Sequence, residues 1–180
     1  MKVLTIVVTH NRSKLLERCL DWINSQSDPS EEVLVINNGS TDNTEEILRK
    51  KNIWYITQEN VGSAGGWHRG IKIGLEKGYD ACWLMDDDGY PDRDALKHLK
   101  SNFTDDTACI SSIVLKEDNK SEFVFPFPYL SSKNLPKILG FPRKIYKLKK
   151  LHEISKEQIY PFAHLFNGIL FFTLLIKYLG

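Results

Sequence analysis

Between residues 1 and 115 the chain switches repeatedly between two hydrophobic periods, and that alternation limits its fold more than any other feature. Lys2–Thr9 (KVLTIVVT) is a near-continuous β-branched run, the pattern of a strand buried on both faces. Glu32–Ile36 (EVLVI), Asn52–Thr57 (NIWYIT), Asp80–Met85 and Thr107–Leu115 read as further strands. The stretches between them carry helical spacing. Ser13 is placed to cap a helix with Leu15, Leu16, Cys19, Leu20 and Ile23 on one face. Asp42 and Glu45 form a capping-box pattern for Thr44–Lys51. A glycine-rich segment leads into a helix near Trp67–Lys77, and Pro91 opens another that runs to about Phe103. Strands separated by helices over short connections predict an α/β fold with a mostly parallel sheet.

In such a sheet, ligands bind outside the carboxyl ends of the strands. The polar clusters Thr9–Arg12, Asn37–Asp42, Gln58–Gly66 and Asp86–Gly89 each follow a strand and so share one edge. Clusters that converge in this way predict a site.

Composition narrows the function classes. With 42% hydrophobic residues, 26% charged and a net charge of +1, the 180-residue chain reads as a folded domain with no general nucleic-acid signal. The widely spaced Cys19, Cys82 and Cys109 fit reduced core thiols in the cytoplasm better than disulfides or zinc ligands. The N-terminal apolar run is too short for a signal peptide, and Leu165–Leu175, interrupted by Asn167-Gly168, is too short to span a bilayer. Residues 116–160 carry four prolines and no sustained period, which predicts an irregular segment; regularity returns at Leu165–Thr173 as a strand. Between Glu122 and Glu153 there is no acid, while Lys133, Lys137, Arg143, Lys144, Lys147, Lys149 and Lys150 are interleaved with Phe125, Phe127, Tyr129, Phe141 and Tyr146. That run reads either as a solvated basic loop or, through residues 133–150, as a surface meeting anionic lipid or a phosphate-bearing acceptor.

Two motifs carry chemistry. In WLMDDDG, Asp86 and Asp88 would project to one side of an extended chain and Asp87 to the other. Two hard oxygen ligands suit Mg²⁺ or Mn²⁺ shared with substrate phosphates; the plainer alternative is an acidic turn. In NVGSAGGWHRG, glycines ahead of a helix allow backbone N–H groups to approach an anion. Its spacing and position match neither the dinucleotide fingerprint nor a P-loop, and a flexible turn is the plainer alternative.

Taken in order, THNR, NNGSTDNT, NVGSAGGWHRG and WLMDDDG after successive strands resemble the nucleotide-sugar half of family 2 glycosyltransferases, in particular the branch with galactofuranosyl- and rhamnosyl-transferase-like proteins. The likeness covers about residues 1–115, with an echo at Phe166-Asn167-Gly168. It implies a GT-A, Rossmann-like sheet with residues 1–115 as the donor-binding half. Residues 116–180 would be an irregular basic segment plus one returning strand of the same domain. Carried over, Thr9, Asn11 and Arg12 would line the nucleotide pocket, and Asn37, Asn38, Gly39 and Ser40 would hold the base. Asn60, Gly62, Gly65, Gly66 and Arg69 would border the nucleotide and diphosphate, Asp86 and Asp88 would bind the metal, and Asp87 would lie near the sugar. Where the family often has an aspartate for the uracil N3–H, this chain has Asn37, a weaker acceptor; uridine is the favoured base and deoxythymidine the second.

The resemblance further implies metal-dependent, inverting transfer of the sugar to a saccharide or lipid-linked acceptor in surface-polysaccharide assembly. The enzyme would lie in the cytoplasm or at the inner membrane face. The family's general base lies in an acidic segment beyond the FNG-like strand. This chain ends at Gly180, and after Glu122 only Glu153 and Glu157 are acidic. The base and part of the acceptor side are therefore expected to be missing, and a truncated, inactive donor-binding module is the competing reading. A nucleotidyltransferase fits less well, because no glycine-rich loop with a basic residue follows the first strand.

Overall fold

A computed structural model describes residues 1–104, 107–131, 134–137, 142–155, 160–164 and 167–173. It divides into two compact units, Met1–Ser112 with Leu165–Gly180, and Ile113–His164.

The first unit is built on a six-stranded sheet. Its strands are β1 (Val3–Thr9), β2 (Glu32–Asn38), β3 (Trp54–Gln58), β4 (Ala81–Asp86), β5 (Cys109–Ser111) and β8 (Ile169–Phe172). They lie in the order β3-β2-β1-β4-β8-β5. β1, β2, β3 and β4 are parallel, and β8 runs antiparallel between β4 and β5. The expected mostly parallel α/β sheet is present. Successive strands step outward from β1 to β3, and β4 then returns to the other side of β1. The strand order therefore reverses between β1 and β4, and their carboxyl ends flank the crevice that such a switch creates.

Helices cover both faces. On one, α1 (Ser13–Asn24), α2 (Thr44–Lys50) and α4 (Ala95–Ser101) enclose Val3, Val7, Leu16, Leu20, Val35, Trp83, Met85 and Leu96. On the other, α3 (Gly62–Glu76) covers Leu4, Ile6, Val8, Leu34, Ile36 and Cys82. All seven residues of β1 are buried, which explains the unbroken apolar run. Each fully buried aliphatic side chain here contributes about 1.5–3 kcal/mol.

Several local expectations shift. Ser13 is the first helical residue of α1, not its cap, and its N–H donates to Asp42 Oδ2 at 2.9 Å. The capping box is not formed, because Glu45 turns to Thr57 and Arg49. β5 is three residues long, shorter than the Thr107–Leu115 run. α4 starts at Ala95, after Pro91.

The largest shift concerns the glycines. α3 begins at Gly62, so Gly65 and Gly66 are helical and do not precede the helix. Gly66, Gly70 and Gly74 recur every four residues against the sheet. A Cβ at these positions would lie 2.6 Å from Val8, 2.6 Å from Ile6 and 2.7 Å from Cys82, respectively. The helix approaches the strands too closely for any side chain there, which outweighs the ~1 kcal/mol per glycine of helix propensity.

In the second unit, the segment expected to be irregular contains β6 (Glu122–Pro128), β7 (Lys144–Lys147) and α5 (Leu148–Ile154). β6 and β7 pair antiparallel, with a register shift between Glu122 and Phe127. Phe123, Phe127, Ile145 and Leu151 form a small core, in which Phe127 packs edge-on against Phe123 at 5.0 Å and Tyr160 at 5.9 Å. Prolines and the shifted register break the period-2 pattern, so this pairing left no legible alternation.

Candidate functional site

The polar clusters of the first unit meet at the carboxyl edge of the sheet, and hydrogen bonds join them in sequence. Asn11, in the left-handed region at φ +53°, donates its N–H to Ser40 Oγ at 2.9 Å and accepts Thr41 N–H on Oδ1 at 2.7 Å. His10 Nδ1 lies 2.7 Å from the Asn38 carbonyl. Asn38 donates to the Gly62 carbonyl at 2.9 Å and accepts from Gln58 at 2.6 Å. Gln58 in turn accepts from Arg69 at 3.0 Å. Asn60 Oδ1 accepts the Gly62 N–H at 3.0 Å, closing the turn into α3. Gly39 adopts φ +67°, and a Cβ there would lie 3.2 Å from the Gln58 carbonyl, so the 37–40 turn packs on the end of β3.

The acidic turn closes the edge across the switch point. β4 ends at Asp86, and Gly89 N–H returns to the Asp86 carbonyl at 3.0 Å. Because the chain turns there, the alternation of an extended strand does not carry on to Asp88. Asp87 is buried: Thr9 Oγ1 donates to its Oδ2 at 2.8 Å, and Arg12 Nη1 reaches its Oδ1 at 3.3 Å. The same Arg12 nitrogen lies 3.4 Å from Oδ2 of the exposed Asp88. Asp87 and Asp88 thus share one guanidinium, and Asp86 is half-buried. Burial, reinforced by Asp88 and Asp87 and opposed by Arg12, pushes the Asp86 carboxyl up to about 6. Burial also raises Asp87, against the Thr9 hydroxyl and Arg12.

Burial sorts the candidate residues. Thr9, Asn37, Asn38, Gly66 and Asp87 are buried. Asn37 in particular is fully buried, with Oδ1 accepting the Ser40 N–H at 3.0 Å and Nδ2 donating to Thr57. Its amide holds the turn. Asn11, Arg12, Asn60, Gly62, Arg69 and Asp88 are exposed, while Gly39, Ser40, Gly65 and Asp86 are intermediate.

Other contacts at the turn had only a faint sequence signal. Asn167 Oδ1 accepts the Asp86 N–H at 3.2 Å, and Gly168 N–H donates to the Leu84 carbonyl at 2.7 Å. A Cβ on Gly89 would lie 2.8 Å from Asn167 Oδ1, so the two residues fit as a pair. The Asn-Gly interruption of an apolar run was the available signal; Phe166 lies outside the described residues. Glu153 sits on α5, paired with Lys150 at 2.9 Å, and Glu157 lies outside the described residues.

Among the described residues, no group of three or more His, Cys, Asp or Glu side chains is arranged to hold a metal ion. A Mg²⁺-type ion needs no such cage, because one or two carboxylates complete its shell with water and substrate phosphates. Asp86 and Asp88 fit that requirement. The upward shift of Asp86 marks a place where negative charge lacks full compensation, which a divalent cation would supply.

The model of glycosyl transferase family 2 matches residues 5–178. The chain belongs to that family. Galactofuranosyltransferase GlfT1 of Mycolicibacterium smegmatis is 31% identical over 175 residues, covering 94% of this chain. The chain spans 55% of that relative's length. Among solved structures, mannosyltransferase PcManGT from Pyrobaculum calidifontis, in complex with GDP-Man and Mn²⁺, is 26% identical with a TM-score of 0.52. It matches over 63% of this chain and 35% of its own. Glucosyl-3-phosphoglycerate synthase from Mycobacterium tuberculosis, in complex with UDP, has a TM-score of 0.60 over 98% of this chain and 58% of its own. At 14% identity that likeness speaks for the GT-A fold alone. The family 2 assignment and the mostly parallel sheet agree with the resemblance drawn from the four motifs.

Proposed function

We propose that this family 2 chain binds a nucleoside-diphosphate sugar at the β1/β4 switch point and serves its transfer to a hydroxyl acceptor. The observation that carries the reading is the convergence of the Asp86–Asp88 turn, Arg12 and the start of α3 on one sheet edge. Arg12 and Arg69 would meet the diphosphate, and the first-turn N–H groups of α3, which have no intrahelical acceptors, favour an anion. Ser40 and Asn11 would border the nucleoside, with Asn37 holding their turn from below. UDP is the favoured nucleotide and dTDP the second. Asp87, tied to Thr9 and Arg12, would set the sugar-facing side of the turn.

Asp86 and Asp88 would hold Mg²⁺ or Mn²⁺, which when bound neutralises charge on the leaving diphosphate. PcManGT, which holds GDP-Man with Mn²⁺, supports that reading. In transfer, the acceptor oxygen attacks the anomeric carbon as the carbon–oxygen bond to the diphosphate breaks, inverting the centre. The acceptor's proton passes to a carboxylate base. The kinship with GlfT1 supports a saccharide or lipid-linked acceptor in surface-polysaccharide assembly.

A second reading is a donor-binding module without turnover. Calorimetric titration of UDP with and without Mn²⁺ tests what both readings share. Metal-dependent binding that Asp88→Ala abolishes supports it, and no binding of UDP or dTDP in either condition sinks both. Assays of sugar-nucleotide hydrolysis and transfer then separate them, since only the first reading expects turnover.

We place the protein in the cytoplasm, at the inner membrane face. Among the described residues no helix is long and apolar enough to cross a membrane. Lys137, Arg143, Lys144 and Lys147 of the second unit are exposed beside exposed Leu135 and Tyr146, a mixture that suits an anionic lipid surface. Lys133 and Phe141 of the same run lie outside the described residues. Co-sedimentation with phosphatidylglycerol but not phosphatidylcholine vesicles would support this contact; equal partition would refute it.

A further inference from the structure

Resting on the metal-site reading above, the geometry points to Arg18 and Tyr90 as a positioning pair that sets the orientation of Asp88. Helix α1 touches the acidic turn at several points. Arg12 meets the carboxylates, and the Cys19 thiol donates to the Asp86 carbonyl at 3.4 Å. Arg18, one residue before Cys19, donates from Nη2 to the carbonyl of Asp88 at 3.3 Å. Its guanidinium carbon lies 4.5 Å from the centroid of the Tyr90 ring, and Tyr90 is packed at 6.2 Å against Trp22, one helical turn beyond Arg18.

The arrangement explains how an exposed carboxylate is aimed. The Asp88 side chain is 49% exposed, and Arg12, its side-chain partner among the described residues, is shared with Asp87. Such surface pairs hold geometry weakly. The direction of the Asp88 side chain is therefore governed by its backbone, and the Asp88–Gly89 peptide is gripped from its carbonyl by Arg18. Gly89 adds no side chain of its own to brace the turn. A planar guanidinium can stack on a ring and donate in its own plane at once, which an ammonium cannot. Tyr90 supplies the ring over which Arg18 lies, and Trp22 packs against Tyr90 at a tilt. Neither Arg18 nor Tyr90 needs to touch the donor, so they are positioning residues rather than catalytic ones.

The test is calorimetric titration of UDP, with and without Mn²⁺, into the wild-type chain and Arg18→Gln, Arg18→Lys, Tyr90→Leu and Tyr90→Phe. Partners that orient a metal ligand are worth about 10–100-fold in metal affinity. Arg18→Gln and Tyr90→Leu are each expected to weaken Mn²⁺-dependent UDP binding by about tenfold while leaving metal-free UDP binding unchanged. Their combination should cost little more than either alone, because they act as one unit. Tyr90→Phe, which keeps the ring, should retain wild-type binding, and Arg18→Lys should not. Unchanged Mn²⁺-dependent binding in Arg18→Gln overturns the inference, as does an equal loss with and without metal. The Tyr90 pair decides the matter if Arg18→Gln fails to fold. Wild-type protein lacking any metal-dependent UDP binding would instead overturn the metal-site reading itself.

Discussion

Protons and a divalent cation should compete for Asp86. Its carboxyl is pushed up to about 6 by burial and by Asp88 and Asp87, with Arg12 opposing. A metal ligand must be deprotonated, so apparent affinity follows the ionised fraction. For a group titrating at about 6, that fraction is about nine-tenths at pH 7, half at pH 6 and a tenth at pH 5. An unperturbed aspartate near 3.9 would still be about nine-tenths ionised at pH 5. The expected loss on acidification from pH 7 to pH 5 is therefore about tenfold, against almost none for an ordinary carboxylate. The assay is calorimetry with Mn²⁺ and a UDP-hexose, whose diphosphate diester has no group titrating in this range. Repeating it in buffers of different ionisation enthalpy should show about one proton released per cation bound at pH 5 and almost none at pH 7.5. Affinity independent of pH across that range would refute the reasoning. The same shift has a stability counterpart in metal-free protein. A folded-state pKa raised above the unfolded value contributes stability below the unfolded pKa, and that contribution is lost as pH rises through about 6. Asp86→Asn should flatten this part of the metal-free stability profile, and an unaltered slope would count against the assignment.

Arg12 stands beside Asp88 where a cation would sit, so Arg12→Met should bind Mn²⁺ alone more tightly but Mn²⁺ with UDP more weakly. The exposed pair is worth at most about 1 kcal/mol, so the gain for metal alone should not exceed about fivefold; equal-sign changes in both titrations would refute this role. Gly70→Ala should be destabilising in urea titration, because its Cβ would meet the buried Ile6 at 2.6 Å. Overpacking of about 1–3 kcal/mol exceeds the ~1 kcal/mol gain in helix propensity, and a stabilised variant would show that the helix–sheet contact is not tight. Asn167→Ala should lose about 1 kcal/mol in the same assay, because the Asp86 N–H loses its acceptor, and should weaken Mn²⁺-dependent UDP binding. Wild-type behaviour on both counts would remove Asn167 from the site.

Much of the first unit was legible in the chain because its signals are local. A strand buried on both faces must be apolar throughout, and β1 is; a helix lying on a sheet must repeat its apolar face, as Leu16, Cys19, Leu20 and Ile23 do on α1. Four polar clusters each following a strand already marked the carboxyl edge, since parallel strands put all such ends together. What stayed hidden depends on partners far away in sequence. Gly62, Gly65 and Gly66 read as a loop ahead of the helix because glycine is a poor helix former, and nothing local explained the further glycines at 70 and 74. Only the contacts of Gly66, Gly70 and Gly74 with Val8, Ile6 and Cys82 show why a helix needs them. Glu45 looked like half of a capping box until β3 offered Thr57 as a competing partner. The second unit's β6 and β7 pair across a long, proline-interrupted stretch with a shifted register, which no local period records.

The residue types alone therefore determined the architecture and placed carboxylates, glycines and arginines at one sheet edge. Which of those residues are enclosed and which reach solvent was decided only by tertiary structure. Asn37, Thr9 and Asp87 are buried, while Arg12, Arg69 and Asp88 are exposed. Burial and a shared guanidinium are sums over many distant neighbours, and one stretch of chain does not contain them.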